Sequence, residues 1–98
     1  MVDLAPEYLA MVQDILQRHF PEEAVWAFGS RVKGGARPFS DLDLVVISQQ
    51  PLPLRRMALA EEAFSASDLP YRVDLLDWSD LSAEFQEIIR RRYEVIKA

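Results

Sequence analysis

The sequence predicts a small mixed α/β or α+β fold, a short β-sheet flanked by helices, and three observations predict it. Apolar residues recur at helical spacing in three stretches, short apolar strand-like runs lie between and after them, and proline or glycine marks most of the junctions. The resulting order is helix, strand, loop or short helix, strand, helix, strand, helix, with a short last strand. Such an order builds a small mixed sheet, and here it is expected to be covered on one side.

Each element has its own signal. From Pro6 to Phe20 the residues Leu9, Val12, Leu16 and Phe20 recur at three and four, so an amphipathic helix is expected, opened by Pro6 and stopped by Pro21. Ala24 to Phe28 is short, apolar and aromatic and stops at Gly29, as a buried strand would. Trp26 and Phe28 are read as core residues. Arg31 to Ser40 holds two glycines, a proline and three cations, which marks a loop or short helix. Asp41 to Ile47 alternates and then turns continuously apolar, so a strand enters the core with its acids at the exposed end.

After Pro51 and Pro53, a helix is expected over Leu54–Leu69 with Met57, Ala60 and Phe64 inside, closed by Pro70. Tyr71–Trp78 reads as a strand. A last helix, opened by Ser79 or Asp80, carries Leu81, Phe85, Ile88 and Ile89, and Tyr93–Lys97 reads as a terminal strand.

Composition narrows the functional classes. Ninety-eight residues support one core, so residues 1–98 are read as a single domain. A net charge of -5 argues against stable binding to a long nucleic acid. The sequence has no cysteine, hence no disulfide framework or thiolate zinc site. No apolar run is long enough for a bilayer and the start lacks a secretory pattern, so no membrane association is expected and the cytoplasm is the expected compartment.

The chemistry concentrates at Asp41 and Asp43. One intervening residue on a strand puts both carboxylates on one face, and two acids this close repel each other unless a cation lies between them. Magnesium suits the arrangement, because it takes one or two carboxylates and completes its shell with phosphate oxygens and water. A third acid on a neighbouring strand would complete a site for two ions. Asp74 is the choice and Asp77 the rival, ranked second because its odd separation from Asp74 turns it to the opposite face. Gly29 permits a close backbone approach to a phosphate, and Ser30 offers a hydroxyl and a helix start whose amides attract anions. Arg31, Lys33 and Arg37 add local positive charge.

Gly29-Ser30, ten residues, then Asp41-x-Asp43 resembles the signature of the DNA polymerase β-like nucleotidyltransferase superfamily. Gly29–Gly34 and Ala36–Leu44 resemble, more narrowly, the minimal nucleotidyltransferases that serve as antitoxins beside HEPN-domain toxins. The resemblance implies triphosphate contacts at Gly29 and Ser30, with Arg31 and Gly34 supporting the phosphate loop. It also implies metal ligation and catalysis at Asp41, Asp43 and Asp74. It further implies two magnesium ions, ATP as the AMP donor, and a tyrosine of a HEPN-type helical toxin as acceptor. Larger members carry extra helical domains that this chain has no room for, so a partner chain or an oligomer is expected to supply the acceptor side.

Other readings stand beside these. Arg90-Arg-Arg92 complements a helix dipole and covers a wet face before it binds RNA. His19, the only histidine, is assigned a capping or surface role. Ser30 caps a helix, binds phosphate, or does both. Two functions follow: a magnesium-dependent nucleotidyltransferase acting on a partner hydroxyl, or a binding module that neutralises its partner by covering it, with nucleotide binding but no essential catalysis.

Overall fold

A computed structural model describes residues 2–35 and 37–98; Met1 and Ala36, the latter opening the stretch compared with the antitoxin family, lie outside the described residues. Among the described residues nine elements follow the expected order, with a short 3-10 turn at Trp78–Asp80 added before the last helix. Among the described residues no helix is long and apolar enough to cross a membrane.

Helix α1 (Pro6–His19) begins on a proline, whose fixed φ suits a first turn, and Glu7 and Arg18 complement its dipole at either end. Pro21 keeps Phe20 out of the helical region, so the helix stops before it. Strand β1 (Ala24–Phe28) leads into the four-residue helix α2 (Ser30–Lys33). Strand β2 spans Leu42–Ile47, helix α3 Leu54–Ser65, strand β3 Val73–Asp77, helix α4 Ala83–Arg91 and strand β4 Glu94–Lys97.

The sheet runs β3-β2-β1-β4; only the β2–β3 pair is parallel, with α3 as its crossover. One face packs against α1 and α3. Val12, Leu16, Phe20, Ala60 and Phe64 from the helices meet Val25, Ala27, Leu42, Leu44, Val46, Leu75 and Ile96 from the strands in one continuous core. Burial of Leu16, Phe20, Leu42 and Leu44 is complete, and truncating any of them to alanine costs roughly 2–5 kcal/mol.

Four expectations need correction. Trp26 and Phe28 do not fill this core: a strand alternates, and β1 turns Val25 and Ala27 inward instead. The two rings lie on the second face, where Trp26 stacks on Tyr93 with centroids 4.0 Å apart and meets Trp78 at 5.4 Å, while Phe28 meets Phe85 of α4 at 5.9 Å. The sheet is therefore not covered on one side only, because α4 reaches across part of the second face. Helix α3 ends at Ser65 rather than Leu69, since the Ser67 hydroxyl donates to the Phe64 carbonyl at 2.6 Å and draws the chain out of the helix. Helix α4 is opened by Ser82, whose hydroxyl accepts from the Phe85 amide at 3.1 Å, not by Ser79 or Asp80.

Candidate active site

Register brings the acids together. In the parallel pair β2–β3, Asp43 lies beside Asp74, and in the antiparallel pair β1–β2 it lies opposite Phe28. Asp43 and Asp74 thus share the second face, next to the ring that α4 packs on. Asp41 sits one residue before β2 and is exposed; Leu42, between the two acids, donates its amide to the Arg72 carbonyl at 2.9 Å. Burial first, and then the charges of Asp74 and Asp41, push the Asp43 carboxyl above its ordinary value.

Gly29 faces this carboxylate directly. Its φ is +78°, and a Cβ placed there would stand 2.2 Å from Asp43 Oδ2, so any other residue is strained in its backbone and forces the carboxylate or the turn to move. It is also the N-cap of α2, and Ser30 is the first helical residue with no side-chain capping bond. The capping reading of Ser30 is thereby set aside. The carbonyl of Gly29 accepts from Val32 and Lys33, and the first amides of the turn have no intrahelical acceptor. Gly34 closes the turn at φ +99° with open space around it.

Arg31 is placed differently from a residue that meets a triphosphate. Only 5% exposed, its guanidinium donates to the carbonyls of Asp3, Pro38 and Ser40 at 2.9–3.0 Å and lies 3.9 Å from the Tyr71 ring centroid. It fixes the 38–40 turn from inside and presents no charge outward. Arg31→Lys should leave the fold intact yet raise KM for ATP several-fold, because an ammonium cannot span the three carbonyls that the planar fork bridges. Unchanged steady-state kinetics would contradict this bracing role.

Asp77 lies on the opposite face and does structural work. Its carboxylate accepts the Leu52 amide at 2.8 Å, the Ser79 amide at 3.0 Å and the Ser79 and Ser48 hydroxyls. Burial works against its charge, but these donors outweigh it and hold the carboxyl below its ordinary value. Asp77→Ala should therefore cost about 2–3 kcal/mol in urea unfolding at pH 7, since two backbone amides lose their acceptor; an unchanged midpoint would remove the anchoring role.

Sequence reasoning missed Arg72. Its Nη2 lies 2.9 Å from Asp74 Oδ1 and its Nε 3.9 Å from Asp41 Oδ2. The available signal was its two-residue offset from Asp74, which places both side chains on one side of an extended chain. Among the described residues no three acidic or histidine side chains are arranged to hold a metal ion by themselves, which departs from the three-carboxylate set expected above. Arg72 occupies Asp74 Oδ1. The remaining oxygens still fit magnesium: the donors are hard carboxylates, and Gly29 leaves Asp43 Oδ2 room that a Cβ would fill. A cavity of about 450 Å³ lined by Ile47, Gln49, Leu52 and Arg56 lies at the far end of β1–β2 and contains none of these acids.

The chain matches the nucleotidyltransferase domain family over residues 9–98. It is 55% identical over 96 residues to a Haemophilus influenzae protein described as probable protein adenylyltransferase MntA, covering 98% of this chain and 84% of that one. Among solved structures, a toxin–antitoxin complex with AMP-PNP superposes with a TM-score of 0.74 at 21% identity, over 90% of this chain and 71% of that one. An MntA-HepT toxin–antitoxin complex gives 0.68 at 21% identity over 94% and 71%. A spectinomycin adenyltransferase from Enterococcus faecialis with ATP and spectinomycin gives 0.58 at 20% identity over 94% and 48%. At these identities the structural matches establish the fold.

Proposed function

This chain belongs to the nucleotidyltransferase domain family, and on that premise we propose that it is one of the minimal antitoxin members and transfers AMP from ATP to a hydroxyl of a HEPN-type toxin. The observation that carries the reading is the placement of Asp43, which lies against Gly29, is paired in register with Asp74 on β3, and stands two residues after Asp41 at the same end of β2. Asp43 carries its charge at a cost, its carboxyl raised above the ordinary value first by burial and then by the charges of Asp74 and Asp41, and a cation bound with a polyphosphate relieves the part due to charge.

In this reading Gly29 and the first amides of α2 receive the triphosphate, with Ser30 donating its hydroxyl and Arg31 and Gly34 keeping the loop in shape. Asp41, Asp43 and Asp74 would hold magnesium, and Asp74 would also face the acceptor. Bound there, magnesium neutralises phosphate charge and makes the acceptor oxygen easier to deprotonate. Asp74 takes the proton of the hydroxyl, the acceptor oxygen bonds to the α-phosphorus, and the bond to the β-phosphate oxygen breaks, releasing pyrophosphate. The acids lie at an open sheet end, so the partner's surface excludes water from the reaction. The chain acts as one domain, with the toxin completing the acceptor side.

The test is transfer of label from α-labelled ATP to the co-expressed partner. Wild type is expected to label it and Asp41→Ala to leave it unlabelled while remaining folded. Equal labelling by the two proteins would remove the metal-binding role of Asp41 and with it this mechanism.

A further inference from the structure

We infer that Arg72 is a positioning residue that competes with a divalent cation for Asp74. The inference rests on the functional reading above, because it concerns the same carboxylates.

The guanidinium bridges two of the three acids: Nη2 meets Asp74 Oδ1 at 2.9 Å and Nε approaches Asp41 Oδ2 to 3.9 Å. Its backbone is fixed between them, since its carbonyl accepts the amide of Leu42, the residue separating Asp41 from Asp43. The side chain is not fixed in the same way. It is 74% exposed, so the ion pairs are screened and the guanidinium leaves them at small cost. Among the described residues no cation pairs with the third carboxylate, Asp43, which lies against Gly29 instead. Among the described residues a single exposed cation thus balances part of a cluster of three negative charges. A divalent ion that draws Asp74 into its shell takes the oxygen that Arg72 holds, and the guanidinium must turn away. Once displaced, it lies beside the site of incoming phosphates, where a fork of N–H donors is a suitable neighbour for pyrophosphate.

The arrangement restrains metal binding without nucleotide and is overcome when triphosphate oxygens add their share of the ligand set. Removing the charge should therefore strengthen the binding of the metal alone, the reverse of what loss of a structural salt bridge does.

The experiment titrates Mn²⁺ alone, without nucleotide and at low ionic strength, into wild type, Arg72→Gln and Arg72→Lys, reading free Mn²⁺ by electron paramagnetic resonance. Arg72→Gln is expected to bind about two- to fivefold tighter than wild type, the range open to an exposed ion pair, and Arg72→Lys to bind as wild type does. The gain must vanish when Arg72→Gln is combined with Asp74→Asn. Equal or weaker binding by Arg72→Gln, a gain that survives Asp74→Asn, or no binding by any of the proteins overturns the competition. The functional reading fails separately, through equal labelling by wild type and Asp41→Ala.

Discussion

Gly29→Ala should be the most damaging single-methyl change in the protein. Two costs add at this position. The backbone sits at φ +78°, a conformation that costs an L-residue about 1–2 kcal/mol, and the new methyl would stand 2.2 Å from Asp43 Oδ2. Either the α2 turn or the carboxylate must move, and a shift of about 1 Å in a reacting group costs on the order of a hundredfold in rate. Transfer activity should fall by at least that factor, with a lowered urea midpoint. Gly34→Ala separates the two costs, because Gly34 also has positive φ, at +99°, but open space around it. It should lose stability while keeping most of the activity per folded molecule. Wild-type transfer by Gly29→Ala would show that the close approach to Asp43 does not matter.

Asp43→Asn should abolish transfer and, at neutral pH without added metal, make the protein more stable. The folded carboxyl titrates above its ordinary value of 3.8, owing to burial and the charges of Asp74 and Asp41. Between the two values the folded state holds more protons than the unfolded one, so stability falls as pH rises through that window and stays reduced above it. Asparagine removes the charge and the dependence together. Thermal melts in EDTA should place Asp43→Asn above wild type at pH 7, with the difference shrinking as pH falls toward and below 3.8. Asp77 has the opposite sign, its stabilising contribution being present at neutral pH and lost as pH falls through its lowered value. A melt of Asp43→Asn below wild type at pH 7 would mean that the carboxylate is structurally required rather than held at a cost.

Most of the fold was legible because its signals are local. Pro6, Pro21, Pro53 and Pro70 punctuate the chain, the α1 spacing names its inner face, and Asp41 to Ile47 reads as a strand with its acids at the exposed end. The spacing from Gly29-Ser30 to Asp41-x-Asp43 likewise pointed to the residues that the fold gathers at one sheet end. What could not be read depends on register and on neighbours distant in sequence. Which face of β1 meets α1 decides that Val25 and Ala27, not the larger Trp26 and Phe28, enter the core. Arg31 looked like local charge because nothing nearby in the sequence announces the carbonyl of Asp3 or the ring of Tyr71. Arg72 became relevant only when the β2–β3 pairing set Asp74 beside Asp43 and brought the guanidinium between Asp74 and Asp41. At α4, serines and an aspartate compete as caps, and Ser79 is already committed to the buried Asp77, which leaves Ser82.

The central claim is that this chain changes its partner covalently instead of merely covering it. The direct measurement incubates the partner toxin with wild type, magnesium and ATP, separates the two chains, and then records the toxin's intact mass and its residual toxic activity. An added AMP and a toxin that stays silent after separation are expected, with neither effect from Asp43→Asn. Unmodified toxin that regains full activity once separated would contradict that claim and establish neutralisation by binding alone.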